Sequence, residues 1–320
     1  MLRLYLDTRN WPTAIMLVTF RVIHKLFPHP VKLRLCHVGG RLMYRFVHGL
    51  RNVMRVNLSI CYPDMPPDER EQLVKRNFEQ WAISFLEIAT SWWSKPEDMP
   101  DNITFVGSEH LDQALAADKG VILLGAHFST LELGSMLVRK HIGQDRPMHI
   151  VYRTQKNALF NAHMLRGRLR HVTSCVHSKE GRKIVKLVRS KALLWFAPDH
   201  DHGPKNAVFA PFFGHPAATL TTTSTLVEIS GAAAILMATY RNEKDGGYTV
   251  HFYPPLEDFP SKDPLQDATR INQLIEKAVA VAPEQYMWAH RRFKTQPGLP
   301  KAALYERGAT LPNNPQGLKR

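Results

Sequence analysis

The chain has 320 residues, 44% hydrophobic and 22% charged, with a formal net charge of +14 and three scattered cysteines. That mix excludes disorder, collagen and coiled coil as the main state, and cysteines without any CxxC pair exclude a disulfide framework or structural zinc site. The basic excess is concentrated: residues 1–60 hold ten basic side chains and one acid, and residues 139–191 hold fourteen and two, so an anionic partner is expected.

At the N-terminus an apolar run from Trp11 to Phe20 stops at Arg21. A spanning helix needs roughly 20 apolar residues, and no AxA-like cleavage site follows. Apolar residues continue to Phe27, mixed with His24 and Lys25, and Lys32 and Arg34 follow. The mixture fits a helix lying in a membrane interface. A core helix of a soluble enzyme and a short tilted span are the alternatives. Residues 66–93 read as a helix from the recurrence of Leu73, Phe78, Trp81, Phe85 and Ile88. Then follow a strand at 103–107, a helix at 108–120, a buried strand at 120–126 and a helix at 131–141. A strand at 148–153, helices at 157–170 and 179–190 and a buried strand at 192–197 come next. A helix at 219–230, strands at 233–240 and 248–253 and a helix at 264–281 complete the order. The alternation predicts an α/β catalytic region over 96–320 with both sheet faces covered, preceded by an N-terminal helical, membrane-docking region over 1–95.

The segment GVILLGAHFSTLELGSML (120–137) carries the chemistry. His127 follows a buried strand at its carboxyl end, where open α/β sheets bind ligands. Glu132 lies five residues on. If His127 sits in the turn and Glu132 in the first helical turn, the carboxylate folds back onto one ring nitrogen and leaves the other as a base. The rival reading is a capping box, in which Ser129 and Glu132 merely close the helix start. Asp199-His200-Asp201-His202 follows the strand at 192–197. Alternating side chains in an extended segment point apart, which argues against a metal site there. An Asx turn before Gly203-Pro204, or a turn orienting basic groups of the site, are the remaining readings.

Several stretches in order, AHFSTLELG (126–134), VYRTQKNALF (151–160), RGR (166–168), WFAPDHDHGPKNAVFAPFFGHPAATLT (195–221) and APEQYMWAHRRFKT (282–295), resemble the bacterial lipid A biosynthesis late acyltransferases. These lie within the wider His-x4-Asp/Glu acyltransferase superfamily, and the details resemble the lauroyl type more than the myristoyl type. The resemblance implies a mixed sheet flanked by helices. It implies His127 as general base for a hydroxyl on Kdo-lipid IVA and Glu132 as its partner. Arg168, Arg166 and Arg153 would be phosphate or oxyanion contacts, and Asp199 and Asp201 would orient basic groups or the headgroup. It implies an acyl-acyl carrier protein thioester as co-substrate, no metal and no other cofactor, and a place at the cytoplasmic face of the inner membrane. The expected partners are the acidic carrier protein, the anionic lipid A precursor and the phospholipid surface. Rival readings are an acyltransferase for another lipid acceptor, such as a lysophospholipid or aminolipid, and a nonenzymatic membrane-binding protein. No nucleic-acid partner is expected, since no RNP, zinc-finger or helix-turn-helix signature accompanies the charge.

Overall fold

The computed structural model describes residues 2–99, 101–306, 308–309 and 311. Five helices come first: α1 (Leu2–Leu6), α2 (Trp11–Leu26), α3 (His29–Phe46), α4 (His48–Cys61) and α5 (Pro67–Trp93). Prolines open α2, α3 and α5, where a missing N–H costs nothing. Asp68 and Glu69 complement the α5 dipole.

The remainder alternates: β1 (Ile103–Val106), α6 (Ser108–Ala116), β2 (Val121–Gly125), α7 (Leu131–Ile142), β3 (Met148–Tyr152), α8 (Ala158–Arg168), β4 (Ser174–His177), α9 (Gly181–Arg189) and β5 (Leu193–Phe196). Then come β6 (Ala207–Phe212), β7 (His215–Leu220), α10 (Thr222–Ser230), β8 (Ala233–Arg241), β9 (Tyr248–Phe252) and α11 (Pro264–Val281). The main sheet runs β1-β9-β8-β2-β5-β3-β4. Strands β8, β2, β5, β3 and β4 are parallel, while β9 is antiparallel to β8 and carries β1 parallel to itself. The sheet is therefore mixed, as the family resemblance implies.

Strand β2 is buried along its whole length, which is why its sequence is a continuous apolar run rather than an alternation. Ile122 and Leu124 enter one core with Phe78, Met54 and Leu58 of the N-terminal helices. Val121 and Leu123 enter the other, with Leu133 and Leu137 of α7. Helices α4 and α5 thus share a core with the sheet.

Three features differ from the sequence expectation. Strand β4 and the β6–β7 hairpin are absent from it, and the helix expected at 219–230 starts only at Thr222 because Thr219 and Leu220 pair in β7. The hairpin turns at Phe213 and Gly214, both with positive φ, the geometry that matches strand twist in a two-residue loop. Prolines at 211 and 216 mask it in the sequence.

Helix α3 lies close against α5. A Cβ on Gly40 would come 2.6 Å from the Glu79 Cα and 2.9 Å from the Phe78 carbonyl oxygen, backbone atoms that cannot swing aside. Gly40→Ala is expected to push α3 off α5 and to cost about 1–3 kcal/mol, read as a lower urea midpoint at unchanged slope.

Candidate active site

The register of β2 against β5 pairs Val121 with Leu193 and Leu124 with Phe196. Carrying that pairing three residues past its last pair brings position 127 opposite position 199. There the Asp199 carboxylate is 1% exposed. Its Oδ2 accepts from the His127 backbone N–H at 2.8 Å and from the Tyr286 hydroxyl at 3.0 Å. Its Oδ1 lies 2.6 Å from His127 Nδ1. An ionised carboxylate only accepts, so Nδ1 carries the proton and Nε2 is the unprotonated nitrogen. Nε2 makes no bond within the described residues.

Burial alone would raise the Asp199 pKa. The adjoining His127 ring and its hydrogen bonds outweigh burial and hold the carboxyl well below the usual carboxylate range. With the native value depressed, the stability this carboxylate contributes is complete above about pH 4 and disappears as pH falls through the native value. Tyr286 is pushed up, by burial first and then by the Asp199 charge, so it remains a donor.

The loop carrying His127 is tied to the segment after α11. Met287 N–H donates to the His127 carbonyl at 2.8 Å, and Ser129 N–H donates to the Gln285 carbonyl at 2.7 Å. That segment is gripped by two buried asparagines. Asn77 Nδ2 donates to the Glu284 and Tyr286 carbonyls at 2.7 and 2.6 Å, and Asn57 Nδ2 to those of Trp288 and His290 at 2.7 and 2.6 Å. The sequence reading contains neither asparagine. Mid-helix asparagine disfavours a helix, and that misfit in an apolar stripe was the available signal.

Glu132 corrects the sequence reading twice. It makes no ion pair with His127; its carboxylate takes the Arg168 guanidinium on both oxygens, with Arg168 Nε 3.1 Å from Oε2, and accepts from Trp92 Nε1 at 3.3 Å. It closes no capping box either: Thr130 is the residue before α7 and offers no side-chain cap bond, while the Ser129 hydroxyl is buried without a partner. The cause is competition. His127 Nδ1 is already taken by Asp199, and a cationic fork faces Glu132 from α8. Burial would lower the Arg168 pKa, but the Glu132 charge raises it.

Of the other candidates, Arg168 lines the cleft described below, and Arg153 stands exposed at its rim. Arg166 is exposed outside it. The glycine between Arg166 and Arg168 serves packing rather than ligand approach, since a Cβ on Gly167 would lie 2.3 Å from the Trp92 ring. Asp201 is a buried pin. Its carboxylate accepts from Thr295 N–H and Oγ1 at 2.6 and 2.9 Å and from Gly203 N–H at 2.8 Å. These bonds hold the 290–295 run, Lys294 Nζ lies 3.7 Å from Oδ1, and the Gly203 bond is the expected Asx turn.

The cleft is about 1160 Å³ and lies over the carboxyl ends of β2, β5 and β3. Leu131, Ile150, Trp195, Ile184 and Leu226 give it apolar walls, and Arg153, Lys179 and Lys205 a basic rim. His127, with its side chain 19% exposed, faces this space. His202 also lines it, and burial, reinforced by the Arg153 charge, lowers its pKa to about 4. The arrangement suits removal of a proton from a hydroxyl held beside an apolar chain.

Residues 2–295 match a family described as bacterial lipid A biosynthesis acyltransferase. The chain is 35% identical to a lipid A biosynthesis lauroyltransferase of Escherichia coli K12 over 297 residues, 92% of this chain and 95% of the relative. It is 34% identical to a lipid A biosynthesis palmitoleoyltransferase of the same organism, covering 95% and 97% of the two chains. A myristoyltransferase of that organism is 26% identical, over 84% and 82%.

The hydrogen-bond pattern predicts that histidine nitrogen NMR finds the His127 proton on Nδ1. Asp199→Asn is expected to shift the ring toward the other tautomer, and Glu132→Gln to leave the His127 signals in place. The reverse pattern would restore the local His-x4-Glu pairing.

Proposed function

Since the chain belongs to the bacterial lipid A biosynthesis acyltransferase family, we propose that it moves a fatty acyl chain from an acyl carrier protein thioester to a hydroxyacyl chain of Kdo-lipid IVA. His127 Nε2 takes the hydroxyl proton as the oxygen attacks the thioester carbonyl. The tetrahedral intermediate collapses to an ester and expels the carrier thiolate, which takes the proton back from the imidazolium. Asp199 keeps Nδ1 protonated and balances the ring's charge. Helix α7 begins at the cleft wall, so the positive end of its dipole favours the oxyanion. The carrying observation is the 2.6 Å contact of His127 with a buried carboxylate on the wall of a partly apolar cleft. No other cofactor enters this step.

The charge map supports three anionic partners. The basic rim fits a phosphorylated lipid headgroup. Arg182, Lys183, Lys186 and Arg189 stand exposed on α9, whose Ile184 lines the cleft. That face suits an acidic carrier protein. For the membrane, Trp11, Ile15, Val18, Val22 and Leu26 are exposed along one face of α2, and Leu35, Val38, Leu42 and Phe46 along one face of α3. Arg21, Lys25, Arg34, Arg41 and Arg45 are exposed on the same two helices. Among the described residues no helix is long and apolar enough to cross a membrane. The reading is a pair of helices lying in the cytoplasmic surface of the inner membrane.

Mass spectrometry of Kdo-lipid IVA incubated with lauroyl and palmitoleoyl carrier thioesters is expected to show addition of one acyl chain. His127→Ala should slow that transfer at least roughly 1,000-fold. Preferred acylation of a lysophospholipid, or full activity of His127→Ala, would overturn the reading.

Flotation with phosphatidylglycerol vesicles is expected to weaken at least about tenfold in an Ile15→Glu, Leu42→Glu variant and to fall with added salt. Unchanged flotation would leave those helices without a membrane role.

A further inference from the structure

His200 is the one cleft-lining histidine the proposed step leaves unused that packs against the base itself. Among the described residues its ring makes no hydrogen bond, and its Nε2 is buried without a partner. Its ring lies flat on His127, with centroids 3.4 Å apart and planes at 12°. The ring of His290 lies on it in turn, at 3.7 Å and 9°. His127 and His290 make no ring contact with each other, so they cover opposite faces of His200.

The far end of this stack is fixed. His290 Nε2 accepts the Asp201 backbone N–H at 3.1 Å, and the His290 carbonyl accepts Asn57 Nδ2 at 2.6 Å. An accepting Nε2 leaves the His290 proton on Nδ1 and the ring neutral. Burial lowers the His200 pKa far below the usual histidine range, and a protonated His127 would lower it further, so His200 is neutral too.

One hydrogen bond at Nδ1 does not fix a ring. The terminal torsion of a histidine is broad, and rotation about the Nδ1–Oδ1 line sweeps Nε2 through an arc. A flat ring at 3.4 Å closes that arc. The same neutral face also attracts the imidazolium that forms when His127 takes a proton.

We infer that His200 is a positioning residue for His127: an uncharged plate, backed by His290, that sets the plane in which Nε2 meets the substrate hydroxyl and steadies the imidazolium. The inference rests on His127 being the base.

The test compares His200→Phe and His200→Leu in the full-length protein, with His127→Ala as control. Both replacements are apolar, but only phenylalanine is a plate. Steady-state rates with carrier thioester and Kdo-lipid IVA, on variants matched for thermal midpoint, should show kcat of His200→Leu down roughly 10- to 100-fold with KM within about twofold. His200→Phe should recover to within about threefold of the native kcat. A native kcat in His200→Leu would overturn the inference. Equal loss in both variants would also overturn it, by assigning the effect to a ring nitrogen. An active His127→Ala would instead remove the base assignment beneath it.

Discussion

The buried carboxylate of Asp199 is the constraint around which the site is built. A nearly inaccessible anion is expensive unless its lone pairs are filled. Here a backbone N–H, an imidazole N–H and a phenol fill them, and two of the three come from His127 itself. Filling those lone pairs fixes where the histidine sits and which nitrogen it presents. Electrostatic necessity at the floor thus becomes chemical definition at the surface.

That anion gathers distant parts of the chain. Tyr286 reaches it from a segment whose carbonyls are held by Asn57 of α4 and Asn77 of α5. A side chain with two N–H donors satisfies two carbonyls of an irregular stretch at once, which is what a buried loop requires. The first ninety or so residues are therefore part of the site's support, because they supply the grip that keeps Tyr286 and His290 in place. The Glu132–Arg168 pair performs a parallel service on the other wall, joining α7 to α8 across the Trp92 indole.

How much of this was legible follows from the range of each interaction. Strands β2 and β5 read directly as apolar runs, because burial on both faces leaves no alternation to misjudge. His127 was found because a strand end is a local feature. Asp199 is expected from the sequence only to orient basic groups or the headgroup, and its pairing with His127 in particular is not legible, since it comes through a strand register spanning 72 residues. Local spacing offered Glu132 instead, and nothing local shows that Arg168 claims it. The pressure on Gly167 comes from Trp92, 75 positions earlier in the chain, which nothing in the local RGR run shows. The exposed apolar stripes of α2 and α3 are only half legible, because periodicity shows a stripe but not whether the fold covers it.

Helix α5 has a consequence for how such enzymes diversify. It meets partners on every side: Phe20 through Phe85, Arg41 through Glu79, the Tyr286 segment through Asn77, Arg241 through Glu87, and Glu132 through Ser91 and Trp92. Drift in that rod would disturb several contacts together. Across the cleft, Ile184 and Leu226 belong to short helices with few such obligations. Substitution on the α9–α10 side would therefore reshape that wall of the cleft while leaving the Asp199–His127 contact undisturbed.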